Sequence, residues 1–375
     1  MMEVDLAIVG SGPAGAAAAL GALTADPSAR VVLLDRSAFP RDKTCGDGLG
    51  PEGADVLHRL GVGVILDGVP ALHRVRLIAP SGVIAEGNAP RPGYVVPRMV
   101  LDNQLRDAAI AAGAEPLRHR VKTVRQVGDH VEVDDVVRAR VVVGADGANG
   151  VVRRAIGSGD QPKRHTGLAM RGYAHAPGID ALVIGFVPDR WPAYVWAFPV
   201  GDGRVNVGYG PFDARLVESR AGLKGSLLAH AEVLGITPDH DTLRAHHLPL
   251  STHRPTAAVG RVLLVGDAAS LINPLTGEGI YYALLSGAMA GRAAVRFPAD
   301  PGAAYRGAVH HRLARHLRHT SLAALAFRSQ FPVDSSVQAA ARSVDVFGDL
   351  CEFALGTGLL TPRLVRGLTR AWMSG

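Results

Sequence analysis

The stretch Val4-Asp5-Leu6-Ala7-Ile8-Val9-Gly10-Ser11-Gly12-Pro13-Ala14-Gly15 decides how this chain is read. A short apolar run ends in a glycine turn, and the alanine-rich residues Ala14 to Leu23 directly behind it suit a helix. Val31 to Leu34 then starts a second strand, so the segment is one βαβ unit. The glycines permit a tight turn and let backbone N–H groups approach a pyrophosphate at the positive end of the helix. Gly10, Gly12, Pro13, Ala14 and Gly15 are therefore the expected cradle of a dinucleotide. Asp35 stands 20 residues past Gly15, at the end of the second strand, with Arg36 after it. A carboxylate there can accept hydrogen bonds from both hydroxyls of an adenosine ribose; a surface-loop acid is the alternative.

Composition narrows the remaining choices. The 375 residues are 47% hydrophobic and 20% charged, an ordinary globular balance with length for one large core plus a lobe, or for two domains. The two cysteines, Cys45 and Cys351, lie far apart, which excludes a disulfide framework or a cysteine-rich zinc site and points to a reducing cytoplasm. The first apolar run opens with Glu3 and Asp5 and is broken by glycines, unlike an export signal. No charge-free apolar stretch reaches about 18 residues, so no spanning helix is expected and the protein is read as soluble or at most peripheral. The net charge of +6 is dispersed arginine, which gives no nucleic-acid footprint. His246-His247 and His310-His311 lack a supporting carboxylate cluster, and adjacent strand residues face opposite ways, so no metal site is expected. Ser11 and Ser251 lack the Gly-x-Ser-x-Gly elbow of serine hydrolases.

Along the chain, residues 52–60 and 99–112 read as helices. Short apolar segments from Ala71 to Val96, and a strand-like pattern with Trp, Tyr and Phe from Thr166 to Gly210, are expected to pair as a separate sheet over the ligand. Between them Val121 to Val137 reads as a hairpin or meander and Val141 to Val143 as a buried strand, and the chain returns to the first domain at Val262 to Val265. The sequence turns helical after Pro298. There a basic piece (His310, His311, Arg312, Arg315, His316, Arg318, His319) is read as a solvated face, with a membrane-surface contact as the alternative. The expected fold is α/β: a Rossmann-type dinucleotide-binding domain (1–70, 92–155, 255–300) interleaved with an antiparallel β-sheet substrate domain (71–91, 156–254), plus a helical region over 301–375.

Two further glycine–acid junctions follow aliphatic runs: Gly144-Ala145-Asp146-Gly147 and Gly266-Asp267-Ala268-Ala269. Three such junctions suggest strand ends converging on one extended cofactor. The third continues through Asn273-Pro274-Leu275-Thr276-Gly277-Glu278-Gly279-Ile280, a glycine-bearing loop feeding a helix whose backbone donors suit the ribityl and pyrimidine end of a flavin. The three junctions resemble those of the FAD-dependent hydroxylase superfamily that includes p-hydroxybenzoate hydroxylase. The closer resemblance is to geranylgeranyl reductases. It rests on Phe39-Pro40-Arg41-Asp42-Lys43-Thr44-Cys45-Gly46-Asp47-Gly48, on the Leu271 to Ile280 loop, and on Tyr194-x-Trp196-x-Phe198-Pro199 followed by Gly208-x-Gly210, and it spans approximately residues 4 to 290.

The resemblance implies that Asp35 binds the adenosine ribose, Arg98 the phosphate or ribose region, and Asp267 the ribityl chain and pyrophosphate. Asp146, Gly266, Pro274, Gly277, Gly279 and Ile280 complete the implied FAD contacts, with Cys45 and Gly46 in a loop near the isoalloxazine ring. Cys45 would gate the flavin or assist proton delivery, or is a buried structural thiol. Tyr194, Trp196 and Phe198 alternate on one strand face and would wall an apolar cavity for an isoprenoid together with Gly208 and Gly210, or are core packing. The implied reaction is saturation of a C=C bond by hydride from reduced FAD, with Cys45, Tyr194 or a water as proton source. No second dinucleotide fingerprint is evident, so electrons are expected from NAD(P)H docking transiently or from a reduced carrier such as ferredoxin. The rival expectations are a monooxygenase acting on an aromatic or secondary-metabolite substrate, and a non-catalytic flavoprotein whose basic helix binds a membrane or a partner.

Overall fold

The computed structural model describes residues 1–373, and for 370–373 the backbone alone. The chain begins β1 (Met2–Val9), α1 (Pro13–Ala25), β2 (Val31–Asp35), β3 (Gly48–Leu49), α2 (Pro51–Arg59), β4 (Leu72–Ile78), β5 (Ile84–Val95) and α3 (Arg98–Ala111). It continues through β6 (Glu115–Arg118), β7 (Val124–Val127), β8 (His130–Val133), β9 (Val137–Gly144), α4 (Val152–Ala155), β10 (Thr166–His175), β11 (Leu182–Val187), β12 (Ala193–Gly201) and β13 (Arg204–Pro211). Then come α5 (Arg220–Val233), β14 (Arg244–Pro249), β15 (Ala258–Val259), β16 (Val262–Leu264), α6 (Ile280–Arg296), α7 (Pro301–Ala326), α8 (Phe331–Arg342), α9 (Val344–Leu355) and α10 (Pro362–Met373). Positions 374 and 375 of the expected helical region lie outside the described residues.

The strands form two sheets among the described residues. The first has the order β15-β16-β9-β1-β2-β6, with β8 on β9 and β7 on β8. β1 lies parallel to both β2 and β9, and Leu6, Ala7 and Ile8 are fully buried, as a strand covered on both faces requires. The second has the order β14-β10-β13-β12-β11-β4-β5-β3 and is antiparallel except where β11 runs parallel to β4. β5 crosses the expected boundary at 91/92, and β3, inside 1–70, pairs with its far end at Tyr94 and Val95.

Helices α1 and α6 pack backbone to backbone on the first sheet, and small residues make this possible. A Cβ on Gly287 would lie 2.1 Å from the Ala14 carbonyl oxygen, and one on Gly291 1.8 Å from that of Ala18. This close approach brings the N-termini of α1 and α6 to the same end of the sheet, beside the carboxyl ends of β1, β9 and β16. Ligands of open α/β sheets bind in such crevices. The C-terminal helices close the opposite side: Val337 and Ala340 of α8 and Phe347 and Cys351 of α9 share one apolar cluster with Val75, Leu77, Ala85 and Leu182 of the second sheet.

Candidate active site: a cofactor groove opening into an apolar chamber

The glycine turn is held by its own geometry. Gly10 has φ +104°, and a Cβ there would sit 2.3 Å from the Ala145 carbonyl oxygen, so the first and second glycine–acid junctions touch. Asp35 Oδ2 accepts the Ser11 N–H (2.8 Å) and Oδ1 accepts the Ser37 N–H (2.8 Å), which fixes the carboxylate beside the turn with lone pairs to spare.

Two guanidinium groups lie over the turn. A Cβ on Gly12 would meet Arg41 Nη2 at 3.1 Å and Arg98 Nη2 at 4.0 Å. Arg98 is the first residue of α3, and it donates to Asp102 from Nε (2.6 Å) and Nη2 (2.8 Å), both side chains being almost wholly buried. Burial opposes the Arg98 charge, but Asp102 more than restores it and holds the pKa above the ordinary arginine value. Arg41 Nη1 lies 3.4 Å from the same carboxylate. Arg98 thus stands beside the glycine turn as half of a bidentate pair, and Arg41 is a second cation there that the sequence reading did not single out.

The two later acids differ in state. Burial would raise Asp267, but Lys43, whose Nζ donates to Oδ2 at 2.9 Å, holds its carboxyl below the usual range. Burial pushes Asp146 up; its Oδ2 accepts the Val152 N–H (3.0 Å), and the carboxylate lies against Gly150, where a Cβ would sit 2.1 Å from Oδ1.

The loop from Asn273 to Ile280 is tied by its own backbone: the Asn273 N–H donates to Glu278 O (2.8 Å) and the Gly277 N–H to Asn273 O (3.0 Å). Gly277 has φ +71°, and a Cβ there would lie 2.7 Å from Tyr194 Oη, which donates to Thr276 O at 2.9 Å. Glu278 accepts the Tyr281 N–H (2.7 Å), and burial pushes its carboxyl up to about 8.

Tyr194, Trp196 and Phe198 do share one face of β12, with ring centroids 5.4 and 6.5 Å apart along the row. Gly208 and Gly210 stand behind the row and do not line the cavity. A Cβ on Gly208 would enter the Trp196 ring at 2.0 Å, and one on Gly210 would touch Ala169 at 3.0 Å. The Cys45 loop packs against the row: a Cβ on Gly46 would lie 3.2 Å from Trp196 Nε1. Burial pushes the Cys45 thiol and the Tyr194 hydroxyl up, so both keep their protons at neutral pH.

Sequence reasoning missed what holds that loop. Asn206, fully buried on β13, donates to Asp47 Oδ2 (2.8 Å) and to the Cys45 carbonyl (2.8 Å), and accepts from Trp196 Nε1 (3.0 Å). Asp47, at φ +61°, also accepts from Tyr173 Oη (2.5 Å), and burial raises its carboxyl above the ordinary value. One amide therefore ties the cysteine loop to the aromatic row.

These features line one cavity of about 720 Å³. The groove side holds Gly10, Gly12, Pro13, Ala14, Asp35, Arg36, Cys45, Gly46, Arg98, Asp146, Asp267, Gly277, Gly279 and Ile280; Gly15, Gly266 and Pro274 support the walls from behind. Past Tyr194, Trp196 and Phe198 the same cavity continues into an apolar chamber between Val75, Leu77, Leu182 and Ile184 of the second sheet and Val333, Val337, Leu350 and Phe353 of α8 and α9. The α8–α9 wall carried no motif. His246 lines the cavity and is neutral, burial pulling it down to about 4, whereas His247 is exposed. No metal-binding group of three or more His, Cys, Asp or Glu occurs among the described residues.

The groove fits FAD on its own chemistry: a carboxylate at the end of β2, glycines where a Cβ would fill the turn, and the guanidinium groups of Arg98 and Arg41 above it. A family model described as FAD binding domain matches residues 3–185. The chain is 34% identical over 313 residues to a menaquinone reductase of Mycolicibacterium smegmatis, covering 77% of this chain and 75% of that one. It is 35% identical over 315 residues to digeranylgeranylglycerophospholipid reductase 1 of Methanopyrus kandleri, covering 78% and 81%. The structure of a geranylgeranyl bacteriochlorophyll reductase-like protein from Thermoplasma acidophilum has the same fold, with a TM-score of 0.81 at 21% identity over 99% of this chain and 100% of that one. Fold, groove and relatives agree, and the chain belongs to the geranylgeranyl reductase family of FAD-dependent oxidoreductases.

Proposed function

We propose that this enzyme saturates C=C bonds of an isoprenoid chain of the geranylgeranyl type. The observation that carries the reading is continuity: the groove with the dinucleotide turn opens, past one aromatic row, into a chamber of apolar side chains walled by the second sheet on one side and by α8 and α9 on the other. The names of the relatives, a menaquinone reductase and a digeranylgeranylglycerophospholipid reductase, support it. On this reading residues 1–70, 92–155 and 255–300 serve the cofactor, and 71–91 and 156–254 the substrate, with α8 and α9 closing the chamber.

When bound and reduced, FAD supplies the hydride. Asp35 and Arg36 hold the adenosine ribose; the Gly10–Gly15 turn, with Arg98 and Arg41 above it, holds the pyrophosphate; Asp267 binds the ribityl chain; and the backbone of Gly277, Gly279 and Ile280 meets the pyrimidine end. Asp146 lines the groove beside them. Tyr194, Trp196 and Phe198 exclude water and set the chain across the ring. The second carbon needs a proton, and Cys45 Sγ and Tyr194 Oη both retain one beside that row. The reductant for the next turnover is NAD(P)H or a reduced carrier protein.

The test is to reduce the flavin-loaded enzyme with dithionite without air, add a geranylgeranyl lipid and weigh the product. A gain of two hydrogens is expected. No anaerobic product, with one oxygen atom incorporated in air, overturns the reading in favour of a monooxygenase.

A further inference from the structure

Helix α7 runs for 26 residues without a single Asp or Glu and carries Arg306, Arg312, Arg315 and Arg318. His311, Arg315, Arg318, Leu322 and Leu325 recur at helical spacing, which sets them on one stripe, and all five are exposed, Leu322 by 56% and Leu325 by 57%. Leu313, Leu317 and Thr320 form the buried opposite face. The stripe is graded: cationic in its first half, apolar in its second, where Phe331 at the start of α8, 54% exposed, extends it. Within the same turn Phe327 points inward and lines the cavity, with Val333 and Val337 of α8 beside it. The apolar end of the stripe is therefore the outside of the chamber wall.

A second copy of this face is a poor occupant, because a two-fold contact sets its arginines against either the partner's arginines or its leucines. An anionic bilayer accepts both halves at once: phosphate headgroups meet the guanidiniums, and the acyl boundary takes the leucines. We propose that the α7–α8 shoulder docks on an anionic lipid bilayer, with Arg315 and Arg318 on headgroups and Leu322, Leu325 and Phe331 in the interface. No helix among the described residues is long and apolar enough to cross a membrane, so the contact is a lateral one. Docking rests on this face alone; that it delivers a lipid past Phe327 rests on the isoprenoid reading.

The test is co-sedimentation of the full-length, flavin-loaded enzyme with phosphatidylcholine vesicles with and without phosphatidylglycerol. Binding is expected to the anionic vesicles and to weaken as salt rises. Arg315→Ala/Arg318→Ala should cut partitioning roughly 25-fold, about fivefold for each guanidinium. Leu322→Ser/Leu325→Ser should cut it at least about tenfold, both variants keeping flavin and melting temperature. Equal binding to neutral vesicles, no binding to either, or undiminished binding by the arginine variant overturns the proposal, even if the leucine variant does not fold. A dimer that dissociates on substituting the leucines assigns the face to a second copy and also overturns it. A failure of alkene reduction leaves the vesicle result standing, so the two readings fail separately.

Discussion

Replacing Asn206 with leucine removes the amide that joins the cysteine loop to the aromatic row while keeping its branched shape. The amide is fully buried and makes three hydrogen bonds, at 2.8 Å to Asp47, 2.8 Å to the Cys45 carbonyl and 3.0 Å from Trp196 Nε1. Leucine orphans the Trp196 N–H and the Cys45 carbonyl, at about 1–3 kcal/mol each. Asp47 loses one donor but keeps the Tyr173 hydroxyl at 2.5 Å and the Arg98 N–H at 3.3 Å. The added apolar burial returns roughly 1–2 kcal/mol. The net expectation is a loss of about 3 kcal/mol in stability, read by urea unfolding of the flavin-loaded protein. Because the loop carrying Cys45 then loses its register with Trp196, anaerobic flavin reoxidation by substrate should slow more than flavin affinity falls. A stability loss under about 1 kcal/mol with unchanged reoxidation would refute the reasoning.

Three other perturbations follow from the same geometry. Asp267→Ala should weaken FAD retention roughly ten- to a hundredfold, the worth of one charged contact, measured by flavin loss on gel filtration; full retention would mean that the side chain serves Lys43 alone. Gly291→Ala places a Cβ 1.8 Å from the Ala18 carbonyl oxygen, so α1 and α6 must part, at about 1–3 kcal/mol read as a lower melting temperature; an unchanged one would contradict the close packing. Glu278 is raised by burial from its ordinary 4.5 to about 8, so its neutral form is the one the fold prefers: the stability this confers is complete below about 4.5 and is lost as pH rises towards about 8. The flavin-free wild type should therefore lose stability over that window relative to Glu278→Gln, and parallel urea profiles from pH 5 to 9 would speak against it.

The parts of the site that sequence reading reached are those fixed by neighbours in the chain. The β1–α1–β2 unit follows from an apolar strand meeting a turn whose Gly10 must adopt φ +104°, and Asp35 follows from the strand after it. The row Tyr194, Trp196, Phe198 follows from the two-residue period of a strand. Asn206 and Asp47 carried no such signal: they are polar residues 159 positions apart, and their importance appears only when β13 is laid beside the cysteine loop. Gly208 was placed with the substrate wall by the family resemblance, yet its reason is cross-strand, since the Trp196 ring occupies the space of its side chain. The α8–α9 wall was illegible for a related cause. An amphipathic helix shows that it has a partner but not which, and only the fold reveals that Val333, Val337 and Phe353 face the chamber.

The most direct measurement of the central claim, that the apolar chamber holds the chain to be reduced while the groove holds FAD, is to plug the chamber alone. Val337 lies on α8, 1% exposed, and lines the chamber away from the glycine turn. Val337→Trp, loaded with FAD and reduced without air, should keep the wild-type flavin spectrum and lose reoxidation by a geranylgeranyl lipid, which the wild type shows. Reoxidation of the plugged enzyme at the wild-type rate would contradict the account.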